Sequence, residues 1–243
     1  MHRFYVPPPL SRGLVTLDGP EAHHLIHVLR ARPGQRVGLF DGTGTEAVAG
    51  IVAVRRRTAE LEVPDVRQVP PTTGPLLTIA AAVPKGERLR FLVEKLTELG
   101  VERLALLETE RGVVEPRERK VDKLRQTVIA ACKQSGRSRL MQVDPPLALA
   151  EFCARELRST DDPPPRTVIA HPGGDRLASV LHESSGDRPL IAIVGPEGGF
   201  TGSELETAIA AEARPVSLGE TILRIETAAL ALAALTVIGT GRS

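Results

Sequence analysis

The sequence predicts an α/β protein made of a small N-terminal β domain over residues 1–70 and a larger domain over residues 71–243, which is built on a parallel sheet. A proline-rich stretch from Pro64 to Pro75 marks the boundary between them. Before this stretch, short strand patterns follow one another, and after it apolar strand patterns alternate with helical ones. Such alternation is typical of a mostly parallel sheet that is covered by helices on both faces.

The first 70 residues carry short strand patterns and one helical pattern. Pro20 opens the helix, because proline is favoured in a first turn, and Arg30 lies near its end. Short strands with a single helix suggest a partly closed β-barrel, an architecture often used for contact with RNA. His23, His24 and His27 lie on this helix, but without a Cys or a carboxylate pair nearby we expect polar-face residues and no metal site. The strands are expected at residues 3–6, 14–17, 37–40, 45–54 and 58–63.

The second domain is predicted to alternate between strands and helices. Its strand patterns are short apolar runs, whereas its helical patterns repeat apolar residues at the spacing of one helix face. The strands are expected at residues 76–83, 101–107, 140–143, 167–170, 190–195 and 215–218. The helices are expected at residues 86–99, 120–133, 147–157, 177–181, 203–211 and 225–238.

The segment Pro189–Phe200 is the centre of the predicted second domain. It begins as a fully buried strand and runs directly into a glycine-rich turn. A helix is expected next, because two overlapping capping-box patterns follow, Thr201-x-x-Glu204 and Ser203-x-x-Glu206. Strand, glycine turn and helix N-terminus together form the geometry with which α/β proteins hold a ligand at the carboxyl edge of a sheet.

Three predicted strand ends lead into polar or glycine-rich loops, at Ala170–Gly174, Gly195–Phe200 and Leu218–Ala228. In a parallel sheet these ends lie on one edge, so we expect the loops to form one pocket. The sequence has neither a phosphate-binding P-loop nor the G-x-G-x-x-G motif of dinucleotide sites. Glu197 would place a carboxylate beside the backbone of the turn, which disfavours phosphate and suits a ligand that carries positive charge, such as S-adenosylmethionine.

Charge is distributed unevenly along the chain, whose formal net charge is +1. Residues 1–84 and 85–139 carry net charges of +2 and +5, and residues 140–243 carry −6. A polyanion, if the protein binds one, is expected on the first half, although solvated helix faces explain the charges equally well. No apolar run reaches membrane-spanning length and the N-terminus lacks a signal-peptide pattern, so a cytoplasmic location is expected.

Several segments resemble the RsmE family of ribosomal RNA methyltransferases, which belongs to the SPOUT superfamily. The two longest matches are GPEGGFTGSE over Gly195–Glu204 and LGETILRIETA over Leu218–Ala228. The sequence departs from the family pattern at Thr221, where an Arg is usual, so one RNA or substrate contact of the family lacks its usual residue. Shorter matches spread the resemblance over nearly the whole chain, at residues 3–4, 27–30, 40–42, 85, 95–101, 110–111 and 134–137.

The resemblance implies S-adenosylmethionine-dependent methylation of uridine N3 in the 16S rRNA of the small ribosomal subunit, near the decoding centre. It also implies a PUA-like β-barrel, a SPOUT domain whose C-terminal part forms a trefoil knot, and a homodimer. Arg224 is the candidate for orienting the uracil or its phosphate, and Glu226 and Glu197 are candidate bases, for which helix capping and support of the loop are equally expected roles. The residues expected to hold the cofactor are Ala170, His171, Gly195, Pro196, Glu197, Gly198, Leu218, Gly219, Ile222, Leu223, Thr227 and Ala228.

Contact with RNA is expected to depend on phosphate and shape rather than on base stacking, because the chain has one Tyr, five Phe and no Trp. Two alternatives stay open: a SPOUT enzyme that acts on another RNA or at a ribose 2′-oxygen, and a non-catalytic RNA-binding protein of ribosome assembly. The proposed phosphate-binding residues are Arg3, Arg12, Arg30, Lys85, Arg88, Lys95, Arg111 and Arg137.

Overall fold

The computed structural model describes residues 1–71, 75–112, 119–157, 164–182 and 188–237. The chain forms two compact units, the first from residues 1–71 and 129–140 and the second from residues 72–128 and 141–243. A single boundary near residue 70 does not describe this division, because residues 129–140 belong with the N-terminal unit. None of the helices within the described ranges is long and apolar enough to cross a bilayer.

The first unit is a six-stranded sheet with the order β1-β3-β4-β5-β2, in which β6 pairs with β4. Phe4, Leu25, Leu39 and Leu61 are fully buried in its core. The predicted helix is present in two parts, α1 (Gly19–His23) and a π-helical turn (His24–Val28). The strands are β1 (Arg3–Tyr5), β2 (Gly13–Leu17), β3 (Arg36–Phe40), β4 (Thr45–Val54), β5 (Ala59–Val63) and β6 (Arg67–Gln68).

Residues 129–140 are attached to the first unit by backbone hydrogen bonds as well as side chains. The Leu140 N–H donates to the Gly42 carbonyl at 3.0 Å, and the Gly44 N–H donates to the Ser138 carbonyl at 3.1 Å. Gly44 has a φ of +102°, which favours glycine where the two segments meet, and a Cβ there would also lie 2.6 Å from the guanidinium of Arg139. This pairing explains why a segment from the middle of the chain belongs with the N-terminal sheet.

Asp41 fixes the loop that receives this segment. Its side chain is buried and accepts hydrogen bonds from the backbone N–H groups of Leu10, Thr43 and Thr45 and from the Thr43 hydroxyl, at 2.8–3.3 Å. Burial by itself raises the pKa of the Asp41 carboxyl, but these hydrogen bonds outweigh burial and hold the pKa below its ordinary value of 3.8. The ionised carboxylate therefore stabilises the folded loop.

Asp41→Asn is expected to lower the free energy of unfolding at pH 7 by about 1–3 kcal/mol, because the amide replaces one acceptor oxygen with a donor. A carboxyl whose pKa is lowered by folding stabilises the protein fully above its unfolded pKa and loses this effect as the pH falls through the folded pKa. The difference from wild type should therefore shrink between pH 7 and about pH 3 in urea unfolding. Asp65→Asn, at an exposed position, is the matched control. A difference that is the same at both pH values would contradict the prediction.

The second unit contains a six-stranded sheet with the order β12-β10-β11-β7-β8-β9, in which all neighbouring strands are parallel. The strands are β7 (Leu77–Ala82), β8 (Arg103–Glu108), β9 (Gln142–Ala148), β10 (Arg166–Arg176), β11 (Leu190–Val194) and β12 (Arg214–Ser217). The helices are α2 (Glu87–Glu98), α3 (Arg119–Ser135), α4 (Leu149–Phe152, continued by a π-helical turn over Cys153–Leu157), α5 (Leu177–His182), α6 (Gly202–Ala210) and α7 (Ile225–Val237). Helix α3 contributes residues to both units.

The observed elements agree with the predicted alternation and differ from it in two strands. Strand β9 extends through Pro145 and Pro146 to Ala148, which is tolerated because β9 lies at the sheet edge and its register with β8 shifts at these two residues. Strand β10 continues past the predicted end at Ala170. Helix α7 ends the described part of the chain at Val237, so the last residue of the predicted helix, 238, lies outside it.

Candidate functional site

The turn after β11 is fixed at its helical end by a capping box. The Glu204 N–H donates to the Thr201 hydroxyl at 3.3 Å, and the Thr201 N–H donates to the Glu204 carboxylate at 2.9 Å. Of the two predicted capping-box patterns, the structure therefore uses Thr201 and Glu204. The other oxygen of Glu204 accepts from the N–H of Glu110 at 2.8 Å, which joins the start of α6 to the segment after β8.

The glycines of this turn allow other residues of the turn to pack closely against its backbone. A Cβ on Gly195 would lie 2.8 Å from the ring of Phe200, so the ring occupies the space that a side chain at residue 195 would need. Gly199 has a φ of +71°, a left-handed conformation that favours glycine, and its N–H donates to the Pro196 carbonyl at 2.8 Å. Arg111 holds the outer side of the turn by donating to the Gly198 carbonyl at 2.7 Å.

The loop between β12 and α7 forms a second wall. Gly219 has a φ of +132°, which L side chains rarely adopt, and so lets the backbone turn sharply after β12. Ile222 is 82% exposed on this loop. The Arg224 carbonyl accepts the Ala228 N–H at 2.9 Å and so makes the first helical hydrogen bond of α7.

A bulge in β10 forms the third wall. Ala170 and Asp175 both pair with Val216 of β12, so residues 171–174 loop out between them. The N–H of Gly173 donates to Nδ1 of His171 at 3.1 Å, which stabilises the bulge. The carboxyl edges of β10, β11 and β12 thus bring together the three loops whose convergence the sequence predicts.

These loops enclose a cavity of about 360 Å³, within the roughly 300–1,000 Å³ of small-molecule sites. The residues predicted to hold a cofactor all line this cavity except Thr227, which is exposed on α7. Arg111 also lines the cavity, although the sequence analysis proposed it as an RNA contact. Its place in the cavity could have been predicted, because Arg111 follows β8, which ends at the same edge of the sheet. The other lining residues that the prediction omitted are neighbours in the same loops, Pro172, Val194, Gly199, Phe200, Ser217, Glu220 and Thr221.

The candidate catalytic residues lie at or beside the cavity. Glu197 lines it, Arg224 directly follows the lining residue Leu223, and Glu226 lies two positions before the lining residue Ala228. Nη1 of Arg88 lies 2.9 Å from Oε1 of Glu197 and 3.9 Å from Oε1 of Glu226. Glu226 is buried, and its Oε2 has no hydrogen-bond partner among the described residues. Arg224 is exposed, and its guanidinium makes no hydrogen bond or ion pair within the described part of the chain.

The proposed phosphate-binding residues fall into two groups. Internal contacts occupy Arg3, Arg88, Lys95 and Arg111, whereas Arg12, Arg30 and Lys85 are exposed and have no partner within the described ranges; Arg137 is half-buried. Arg3 donates to the Ser138 hydroxyl at 2.7 Å, and its guanidinium lies 5.0 Å from the centre of the Phe40 ring. The contacts of Arg3 help to hold the first unit together. Of the proposed residues, Arg12, Arg30 and Lys85 have no partner within the described ranges.

Two hydrogen bonds of Lys95 raise the pKa of its ammonium, which donates to Glu98 at 2.8 Å and to Glu94 at 2.9 Å. No group of three or more His, Cys, Asp or Glu side chains is arranged to hold a metal ion in the part of the chain that the structure describes. Cys132 and Cys153 are both buried, and no disulfide joins them.

Two family models match the chain in agreement with this architecture. A model described as an RNA methyltransferase domain matches residues 72–237, and a model described as an RNA methyltransferase PUA domain matches residues 17–63. The first match covers more than half of the chain and contains the parallel sheet and its pocket, so the protein is a member of the RNA methyltransferase class.

Known relatives narrow this class. The ribosomal RNA small subunit methyltransferase E of Mycobacterium bovis is 32% identical over 241 residues, which cover 97% of this chain and 91% of the relative. A crystal structure of the enzyme of that name from Neisseria gonorrhoeae, bound to S-adenosyl methionine, is 32% identical with a TM-score of 0.85, over 96% of this chain and 95% of its own. A putative methyltransferase from Legionella pneumophila, in complex with the same cofactor, is 28% identical with a TM-score of 0.85, over 98% and 97% of the two chains. The chain belongs to the ribosomal RNA small subunit methyltransferase E family.

Proposed function

We propose that the protein methylates N3 of a uridine in the decoding region of 16S rRNA, with S-adenosylmethionine as the methyl donor. The observation that carries this proposal is the convergence of the Gly195–Phe200 turn and the Leu218–Arg224 loop on one cavity. Membership of the family supports the RNA substrate, and the two cofactor-bound structures support the donor. The choice of uridine N3 rests on the family resemblance.

The residues around the cavity suit S-adenosylmethionine. Val194, Phe200 and Leu223 offer apolar surface for an adenine ring. Glu197 and Glu220 offer carboxylates for a ligand that carries a sulfonium and an ammonium group. The left-handed backbone at residue 219 exposes main-chain groups that hold a ribose or an adenine edge closely.

The chemistry requires a proton to leave uridine N3 as that nitrogen accepts the methyl group. S-adenosylmethionine supplies, when bound, a methyl group made electrophilic by its sulfonium. Glu226 is the proposed base and Glu197 the second candidate, since each carboxylate oxygen accepts a proton once it is within hydrogen-bond reach. Arg224 is proposed to orient the uracil or its phosphate, because its guanidinium is exposed beside the cavity with no protein partner in the described residues.

The decisive experiment compares 16S rRNA from cells with and without the protein. Loss of 3-methyluridine from the nucleoside mass spectrum, and its return when purified protein methylates small subunits from the deficient cells, are the expected results. Mapping the methylated nucleotide then tests the decoding-region assignment. Loss of a 2′-O-methyl mark, or of a mark on another RNA, would contradict the proposal, and no binding of S-adenosylmethionine in calorimetry would favour a non-catalytic protein.

Arg30 is proposed to contact rRNA phosphate. It is exposed and has a φ of +51°, so a residue with a Cβ occupies a backbone conformation that favours glycine. A non-glycine residue in such a conformation is a reason to propose a role for its side chain.

Arg30→Gly is expected to weaken rRNA binding while leaving stability unchanged or higher, because the backbone strain is relieved as the charge is lost. The slope of log affinity against log salt concentration should fall by about 1, since one phosphate contact disappears. Affinity for S-adenosylmethionine should not change. Arg56→Ala, which removes an exposed charge of the same unit that is not in the proposed set, is the control. Equal salt slopes for both variants would remove Arg30 from the RNA-binding surface.

We propose that the first unit closes as a PUA-like barrel and that the loops around the cavity form a trefoil knot. The six strands of the first unit and the PUA family match support the barrel. The proposed knot rests on the family resemblance.

A homodimer in the cytoplasm is the proposed working form. Helix α7 is apolar on nearly every side, and a helix of this kind is normally buried all round. Leu235 is nevertheless 51% exposed and Leu230, Ala231 and Ala234 are only half-buried, so a second copy of the chain is proposed to cover them. The location follows from the proposed substrate, the small ribosomal subunit.

A further inference from the structure

Arg88 connects two elements that the chain separates widely. It lies in the first turn of α2, where the sequence suggested a phosphate contact. Its Nη1 donates to Oε1 of Glu197 at 2.9 Å, in the glycine turn after β11. The same nitrogen lies 3.9 Å from Oε1 of Glu226, in the first turn of α7. One guanidinium therefore lies between the two carboxylates that are candidates for the chemistry.

The charges of this cluster explain why a cation is needed there. Two carboxylates that face one nitrogen repel each other unless a positive group lies between them. The side chain of Glu226 is only 10% exposed, so water screens its charge poorly, and its Oε2 has no hydrogen-bond partner among the described residues. Without Arg88, the Glu226 carboxylate would be a buried charge with no counterion in the described part of the chain.

The contribution of the cluster to folding stability is expected to be small. The side chains of Arg88 and Glu197 are 34% and 46% exposed, and ion pairs with this exposure are strongly screened by solvent. The pair instead fixes the position of the turn that forms one wall of the cavity. It joins this turn to α2 and, through the same guanidinium, to the first turn of α7.

We infer that Arg88 is a positioning residue of the cofactor site, which clamps Glu197 and Glu226 in the arrangement that binding and methyl transfer require. This inference rests on the proposed function. Arg88 holds the Gly195–Phe200 turn against the cavity through Glu197 at 2.9 Å, and it orients the Glu226 carboxylate from 3.9 Å. Its guanidinium is thus committed to the protein and is not a free phosphate contact.

The test compares Arg88→Ala and Arg88→Lys with Arg90→Ala, which removes the same charge from an exposed position two residues along the same helix. Arg88→Ala should weaken S-adenosylmethionine binding in calorimetry by about tenfold or more, because the turn that contains Glu197 loses its anchor, and it should lower kcat for methylation of small subunits, because Glu226 is no longer oriented. Arg88→Lys should recover part of both, since an ammonium provides the charge without the planar fork. Arg90→Ala should match wild type.

A thermodynamic cycle separates the clamp from other roles. If Arg88 acts through Glu197, then Glu197→Gln should weaken cofactor binding much less in the Arg88→Ala background than in wild type. Loss of rRNA affinity with unchanged cofactor affinity would identify a phosphate contact and overturn the inference. A lower melting temperature with wild-type cofactor affinity in the folded protein would reduce Arg88 to a structural role and overturn it as well. Wild-type protein that fails to bind S-adenosylmethionine would overturn the proposed function and the inference together.

Discussion

Glu226→Gln is expected to lower kcat for methylation of the small subunit by about 10²–10⁴-fold, the usual contribution of a positioned general base. Glutamine keeps the size and shape of the side chain but cannot accept the N3 proton. Affinity for S-adenosylmethionine should change little, because Glu226 does not line the cavity. Rates measured with small subunits that lack the mark, together with calorimetry, provide the two readouts.

The surroundings of the two carboxylates favour Glu226 over Glu197 as the base. Glu197 is 46% exposed, and its Oε1 is held by Arg88 at 2.9 Å. Glu226 has one oxygen 3.9 Å from the same guanidinium and a buried second oxygen, Oε2, that has no hydrogen-bond partner in the described residues. A buried acceptor without a partner is costly for folding, so it indicates a group kept for function.

Glu197→Gln and Glu206→Gln are the matched variants for this experiment. Glu206 is exposed on α6, and its replacement controls for the loss of one acidic charge. A normal kcat for Glu226→Gln with a collapsed kcat for Glu197→Gln would assign the base to Glu197. Normal rates for both would show that no carboxylate of this cluster removes the proton.

Gly174→Ala is expected to lower the free energy of unfolding by about 3 kcal/mol or more, at the upper end of overpacking effects. The new Cβ would lie 2.4 Å from the carbonyl carbon of Pro215 and from the nitrogen of Val216. Both atoms belong to the backbone of β12, which pairs with β10 on either side of the bulge, so neither strand moves away without losing its register. Urea unfolding followed by circular dichroism measures the loss.

The same substitution should also weaken cofactor binding, because the bulge that contains Gly174 carries His171 and Pro172 of the cavity wall. Gly173→Ala is the matched control: its Cβ would meet only the ring of His171, at an ordinary 3.4 Å. Neither glycine has a left-handed φ, so the backbone conformation itself permits alanine at both positions. Equal unfolding midpoints for the two variants would show that β10 and β12 shift to accommodate a Cβ at residue 174.

Local patterns allowed most of the secondary structure to be predicted. Apolar periodicity and turn residues act over a few neighbours, and the predicted strands at residues 45–54 and 190–195 differ from β4 and β11 by at most a residue at either end. Local patterns also left ambiguities. Two capping boxes overlapped at the start of α6, and the one with Glu204 formed because that side chain also accepts the N–H of Glu110.

The candidate site was predictable where it depends on topology and not where it depends on side-chain pairing. Parallel strands end on one edge, so three polar loops after three strands were expected to meet, and they do. The approach of Arg111 to the Gly198 carbonyl joins residues that are 87 positions apart, and no local pattern encodes such a contact.

Local sequence patterns revealed the order of elements, the glycine turn between β11 and α6, and the family resemblance, because each of these depends on residues close together in the chain. Only the tertiary structure showed that residues 129–140 belong with the N-terminal unit and that Arg88 lies between Glu197 and Glu226. The physical reason is that an arginine on a polar helix face has the same sequence pattern whether it faces RNA or a carboxylate. Its partner is chosen by the packing of α2, the glycine turn and α7.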